Sequence, residues 1–97
     1  MKQSTLEGLR RYADHGIPPG DFLRAVLENN LMEAVGRADY ENRLYLYEIC
    51  DYIYNEMPFN CHGSPEKVRA WLDAFTKKRV SGHAEYEQEY PDDKAAT

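Results

Sequence analysis

Asp39-Tyr40-Glu41-Asn42-Arg43-Leu44-Tyr45-Leu46-Tyr47-Glu48-Ile49-Cys50-Asp51-Tyr52-Ile53-Tyr54-Asn55-Glu56-Met57 decides the fold. It holds neither Gly nor Pro. Asp39 is a good N-cap, because its carboxylate accepts from the free N–H groups of a first turn. Pro58 follows, and the residue before a proline is pushed out of the helical region. The stretch therefore predicts one long central helix over 39–57. At ~100° per residue, Leu46, Ile49, Cys50, Ile53 and Met57 share a face. Tyr45 and Tyr52 flank it on one side, Tyr47 and Tyr54 on the other. Only Glu41, Glu48, Asp51 and Asn55 form a clearly polar strip. A helix with so little polar surface is central or lies in a subunit interface.

Working outward, Gly63-Ser64-Pro65 announces the next helix, with Ser64 as cap and Pro65 at the first helical position. Val68, Trp71, Leu72 and Phe75 follow at helical spacing, and Gly82 is read as its end. Upstream, Ser4 and Glu7 have capping-box spacing, and Leu6, Leu9 and Ala13 make a short apolar stripe. Helix 1 is read over Thr5–His15, closed by Gly16, with Tyr12 at the edge of the stripe. Ile17-Pro18-Pro19-Gly20 is a stiff connector. The second helix turns Phe22, Leu23, Val26 and Leu27 inward and Arg24 and Glu28 outward. Its apolar face rotates after Asn29-Asn30, which predicts a kink or break there. The pattern is all-α, with about four helices.

The chain has 97 residues and net charge −5. Residues 1–80 hold 11 Lys/Arg against 12 Asp/Glu, or −1; residues 81–97 hold one against five, or −4. A near-neutral body argues against a groove for polymeric nucleic acid. No apolar run approaches the ~20 residues of a membrane span. The N-terminus lacks a signal-peptide core, so a cytosolic protein is the default. Cys50 and Cys61 then read as free thiols. The boundaries expected are a helical domain over 1–80 and an acidic, disordered tail over 81–97.

Chemistry is sparse. No P-loop and no nucleophile motif occurs. Cys50, Cys61 and His62 match no usual zinc spacing. No catalytic residue, metal site or cofactor is expected. The strongest functional signal is Gly63-Ser64-Pro65-Glu66-Lys67-Val68-Arg69. A helix start offers unpaired N–H groups to an anion, Gly63 permits close approach, and the Arg69 guanidinium forks onto phosphate oxygens. Taken alone, the same residues favour the plainer reading, a helix cap with a surface Arg.

The run from about His15 to Leu72 resembles a small family of tailed-phage proteins that counter CBASS, the bacterial defence signalling with cyclic oligonucleotides. The resemblance is carried by His15-Gly16-Ile17-Pro18, Gly20-Asp21-Phe22-Leu23, Ala25-Val26-Leu27-Glu28-Asn29, Arg37-Ala38-Asp39, Tyr54-Asn55 and Gly63-Ser64-Pro65-Glu66. It implies a helical sponge in the host cytoplasm, hexameric, that sequesters cyclic di- and trinucleotides without cutting them. In the dinucleotide site, Tyr12 corresponds to a base-stacking aromatic. Arg24 is the candidate for the family's basic residue in the second helix. An ungapped reading puts Glu28 there instead, without the charge. Gly63, Ser64, Pro65 and Arg69 correspond to the trinucleotide site. The alternative is a phage inhibitor of a host protein, anti-CRISPR-like, using tyrosines and the acidic tail as its contact surface.

Overall fold

The structure, a computed structural model, describes the backbone of residues 1–85 and the side chains of residues 1–78. It is all-helical among these residues: α1 Gln3–His15, α2 Asp21–Leu27, α3 Leu31–Arg37, α4 Tyr40–Leu44, α5 Leu46–Glu56, a 3-10 turn Phe59–Cys61, and α6 Pro65–Glu85.

Six α-helices replace the expected four because two predicted helices divide. The first division falls where the rotated face placed it. Asn29 takes φ 63°, and the Asn30 N–H returns to the Ala25 carbonyl at 2.8 Å. Asn is the residue other than glycine that best tolerates that left-handed position. Asn30 then caps α3 by accepting from the Glu33 N–H.

The second division corrects the sequence reading. Asp39 does cap the central stretch, accepting from the Asn42 N–H at 2.8 Å. Tyr45, however, sits at φ −101° and ψ 17° and separates α4 from α5. The reason is long-range. Lys2 reaches Asp39 at 2.6 Å and Glu41 at 3.7 Å. Thr5 donates to Asn42 Oδ1 at 2.8 Å. These contacts tie α4 to the start of α1, and the bend at Tyr45 lets α5 point its own stripe at the core. The α5 end agrees with expectation: Met57 is extended before Pro58.

Two other boundaries also move. The Ser4–Glu7 capping box is absent: Lys2 is the N-cap of α1, and Ser4 lies within the helix. Nor does Gly82 end the last helix, since α6 runs through it to Glu85. The expected tail therefore begins as helix, and its remainder, 86–97, lies outside the described residues.

The core joins every long element. Leu9 and Tyr12 enter from α1, Phe22, Leu23, Ala25 and Leu27 from α2, Ile49 and Ile53 from α5, and Val68 from α6; Met57 and Cys61 close it. Gly16 takes φ 63° and completes the end of α1, its N–H and that of Ile17 returning to Tyr12 and Arg11 carbonyls. A Cβ there would lie 2.3 Å from Phe75, so only glycine lets α6 cross this corner. Trp71 and Phe75 pack tilted, with ring centroids 5.6 Å apart, and the indole N–H donates to the Tyr12 carbonyl at 3.0 Å. Cys50 and Cys61 are free thiols. No helix among the described residues is long and apolar enough to cross a membrane.

Candidate functional site

The Gly63-Ser64-Pro65 turn opens α6 as its residue types require. Ser64 Oγ accepts from the Lys67 N–H at 3.2 Å, and Pro65 stands at the first helical position. Gly63 takes φ 117°, which L side chains rarely adopt. The turn is anchored from below. The Gly63 N–H donates to the Leu27 carbonyl at 2.7 Å, and the Tyr12 hydroxyl donates to the Cys61 carbonyl at 2.6 Å. Glu66, Lys67 and Arg69 lie on the first turn and a half of α6, and Arg69 is exposed. This is a rigid turn carrying two cations at the protein surface.

One expectation about it changes. The helix start was expected to lend backbone N–H groups near Gly63 and Ser64 to an anion, yet the Gly63 amide is used within the fold, as is that of Lys67 one turn on. Pro65 has none to give. The amides of Ser64 and Glu66 remain, so an anion here depends mainly on Arg69 and the Lys67 ammonium.

Tyr12, Arg24 and Glu28 are drawn together. Arg24 Nε donates to Glu28 Oε2 at 2.9 Å, and both side chains are half-buried and close enough to the Tyr12 phenol to act on it electrostatically. Tyr12 itself is not at the edge of its stripe. It is wholly covered, in the centre of the core. Burial, then the neighbouring Cys61 thiol, pushes its hydroxyl above the ordinary phenol range. A helical wheel shows where a residue stands relative to its own stripe, whereas the 3-10 turn and Trp71 that cover Tyr12 come from 49 and 59 residues away. Stacking of Tyr12 on a base requires that cover to shift; in this conformation Tyr12 positions the turn.

Beside the turn lies a cleft of about 380 Å³ that the sequence reading passed over. Val26 of α2, Cys50, Ile53 and Tyr54 of α5, Phe59, His62, Gly63 and Lys67 line it, with Asn29 at one wall. The Lys67 ammonium stands 4.2 Å above the Phe59 ring. His62 Nε2 is shielded from solvent and has no hydrogen-bond partner, the one such side-chain atom among the described residues. Burial, then the Lys67 charge, lowers its pKa. The available signal was Phe59 and His62 flanking a helix start, which pattern alone shows as loop.

Several large apolar side chains are exposed, Tyr54 and Phe59 among them at the cleft. Tyr47, Tyr54 and Phe59 are each about four-fifths exposed, and Tyr40 and Leu44 are largely so. No family model matches the chain, and neither a curated protein nor a solved structure shows significant similarity to it.

Proposed function

We propose that this chain is a phage counter-defence protein of the host cytoplasm that binds and sequesters cyclic di- and trinucleotides without cleaving them, as a homo-oligomer and most simply a hexamer. One observation carries the reading. The segment that resembles the trinucleotide-binding turn of the CBASS-countering family, Gly63 to Arg69, is a surface turn pinned to the core at Cys61 and Gly63, with Arg69 exposed. Preorganisation of this kind lowers the ordering cost of binding. Three such turns around a three-fold axis would meet three phosphates with three guanidinium groups. Charge-assisted hydrogen bonds contribute about 1.5–3 kcal/mol each. Arg24, half-exposed on α2, is the candidate phosphate contact of the dinucleotide site, with Glu28 as its holder and Tyr12 behind it. The exposed Tyr40, Leu44 and Tyr47 supply apolar surface for subunit contacts.

Calorimetry with a cyclic dinucleotide and a cyclic trinucleotide tests this. Arg69→Ala should lose the trinucleotide and keep the dinucleotide, and Arg24→Ala should do the reverse. Heating the loaded wild type should return both ligands intact. A wild type that binds neither class, or that returns cleaved ligand, overturns the proposal. A second reading, an inhibitor that binds a host protein, is favoured by the exposure of Tyr47 and Tyr54, since tyrosines anchor protein interfaces. Native mass spectrometry separates the two: the sponge gains ligand mass on a fixed oligomer, and the inhibitor does not.

A further inference from the structure

The cleft between α2, α5 and the start of α6 is an apolar groove with an acidic shoulder. Val26, Cys50 and Ile53 make its floor, and the exposed Tyr54 and Phe59 stand at its rim. At ~100° per residue, Tyr47 lies within about 20° of Tyr54, two turns earlier on α5, so the aromatic rim continues along the helix. Aromatic side chains carry roughly 150–250 Å² each, so these three offer roughly 350–600 Å² to solvent, a patch of the size that is often functional. Glu48 and Asp51, both exposed, hold the next sector of α5. Charge is distributed as unevenly. Residues 44–66 hold Glu48, Asp51, Glu56 and Glu66 but no Lys or Arg, while the rest of 1–80 holds 11 Lys/Arg against eight Asp/Glu. Two cations of the chain itself already rest on this face: the N-terminal amine on Glu48 at 2.9 Å, and Lys67, at the opposite wall, over the Phe59 ring at 4.2 Å. Asp51 accepts from the Asn55 amide at 2.9 Å, a neutral donor that leaves its charge in place.

The geometry points to a docking groove for a cationic amphipathic segment of a partner protein: a large apolar side chain enters the cleft beside Tyr54 and Phe59, and Arg or Lys on one flank of the segment crosses the tyrosine faces to reach Asp51 and Glu48. The inference rests on the second reading above, in which the chain binds a protein, and gives that protein its chemistry. Arg suits the shoulder best, because a guanidinium stacks on an aromatic face while it pairs with a carboxylate. Other occupants fail on charge. Nucleic acid and anionic lipid headgroups would meet the carboxylates. A wholly apolar segment would fill the floor but strip water from Asp51 and Glu48 without supplying a counter-charge. A second copy laid antiparallel on α5 would set Asp51 and Glu48 against the same residues of its partner, since both lie on one flank of the helix, and like charges facing across an interface oppose binding. A cationic segment fills the floor and neutralises the shoulder together, as amphipathic helices do in apolar grooves.

The probe is a synthetic amphipathic peptide of about 18 residues, long enough to hold a helix, with Leu on one face and Arg on its flanks. It is titrated into the full chain by calorimetry and by NMR of the Tyr47 and Tyr54 rings, beside versions with Lys or Glu in place of Arg. The Arg peptide should bind at roughly 10–100 µM and move both rings. The Lys version should bind more weakly and the Glu version not at all. Tyr54→Ala, a truncation at an exposed residue, should weaken binding at least about tenfold, and Asp51→Lys about tenfold. Asp14→Lys makes the same charge change at the end of α1, where Phe75 crosses ten residues along α6 from its start, or ~15 Å. That exceeds the ~8–10 Å screening length, so this variant should bind within about twofold of the wild type. Equal weakening by Asp14→Lys and Asp51→Lys, or wild-type affinity in Tyr54→Ala, would overturn the proposal. So would sedimentation in which Tyr47→Ala/Tyr54→Ala splits a wild-type oligomer, because a second copy would then cover this face. The two failures are told apart by the peptide itself. A peptide bound without regard to Tyr54 and Asp51 removes the groove and spares the protein-binding reading. No peptide bound, by a chain that takes up cyclic nucleotides, removes both.

Discussion

Tyr12→Phe removes one oxygen from the centre of the molecule. That oxygen donates to the Cys61 carbonyl at 2.6 Å, and both residues are fully buried. The substitution leaves a desolvated carbonyl without its donor, at a cost of about 1–3 kcal/mol. For a chain of this size each kcal/mol lowers Tm by roughly 4–8 °C, so a fall of roughly 4–24 °C is expected. Tyr12→Ala adds a cavity and should cost about 3–5 kcal/mol, a large share of a small domain's stability. Thermal and urea melts at fixed protein concentration measure this, since assembly makes Tm depend on concentration. Under the proposed function, Tyr12→Phe should also loosen the Gly63 turn and so weaken trinucleotide binding, although Tyr12 touches no ligand there. If Tyr12→Phe melts with the wild type and binds both ligand classes as well, the hydroxyl is solvated, the ring faces outward, and the packing described for α1 is wrong.

Two further outcomes follow from the core. Gly16→Ala should cost about 2–5 kcal/mol, combining the left-handed backbone with a 2.3 Å clash against Phe75; a Phe75→Ala background should relieve only part of this, because the Phe75 Cβ, itself 2.3 Å away, is kept. Burial pushes the Cys61 thiol from its ordinary 9.0 up to about 11. A folded-state pKa raised above the unfolded one contributes stability that is full below about pH 9 and lost as pH rises toward 11. Cys61→Ala should flatten urea-midpoint-versus-pH curves over that window, and a midpoint that climbs from pH 9 to 11 in the wild type would contradict the burial.

Local chemistry made part of this legible from sequence. Gly16, Pro58 and Ser64-Pro65 mark helix ends because the backbone states they adopt or forbid are properties of those residues alone. The break at Asn29-Asn30 was legible too, from the rotation of the apolar face on either side. The break at Tyr45 was not, since nothing between Asp39 and Met57 disfavours helix. It comes from Lys2 and Thr5, some 37 residues away. The burial of Tyr12 and the existence of the cleft share that origin, for both are made by segments meeting across the chain. Arg24 and Glu28 did pair as their spacing indicated, because i and i+4 are neighbours on any helix.

Among the helices, α4 stands apart: none of its residues is buried, and polar contacts to Lys2 and Thr5 tie it to α1. The ion pairs of Lys2 with Asp39 and Glu41 weaken with ionic strength far more than apolar packing does. The segment therefore forms a small unit of low local stability that can open while the core stays shut. Its amide exchange and its cleavage by protease would then report a salt-dependent local equilibrium, separate from the global unfolding that governs α2, α5 and the first half of α6. A partner that covers Tyr40 and Leu44 would close that equilibrium, so protection of this five-residue helix is a direct gauge of assembly.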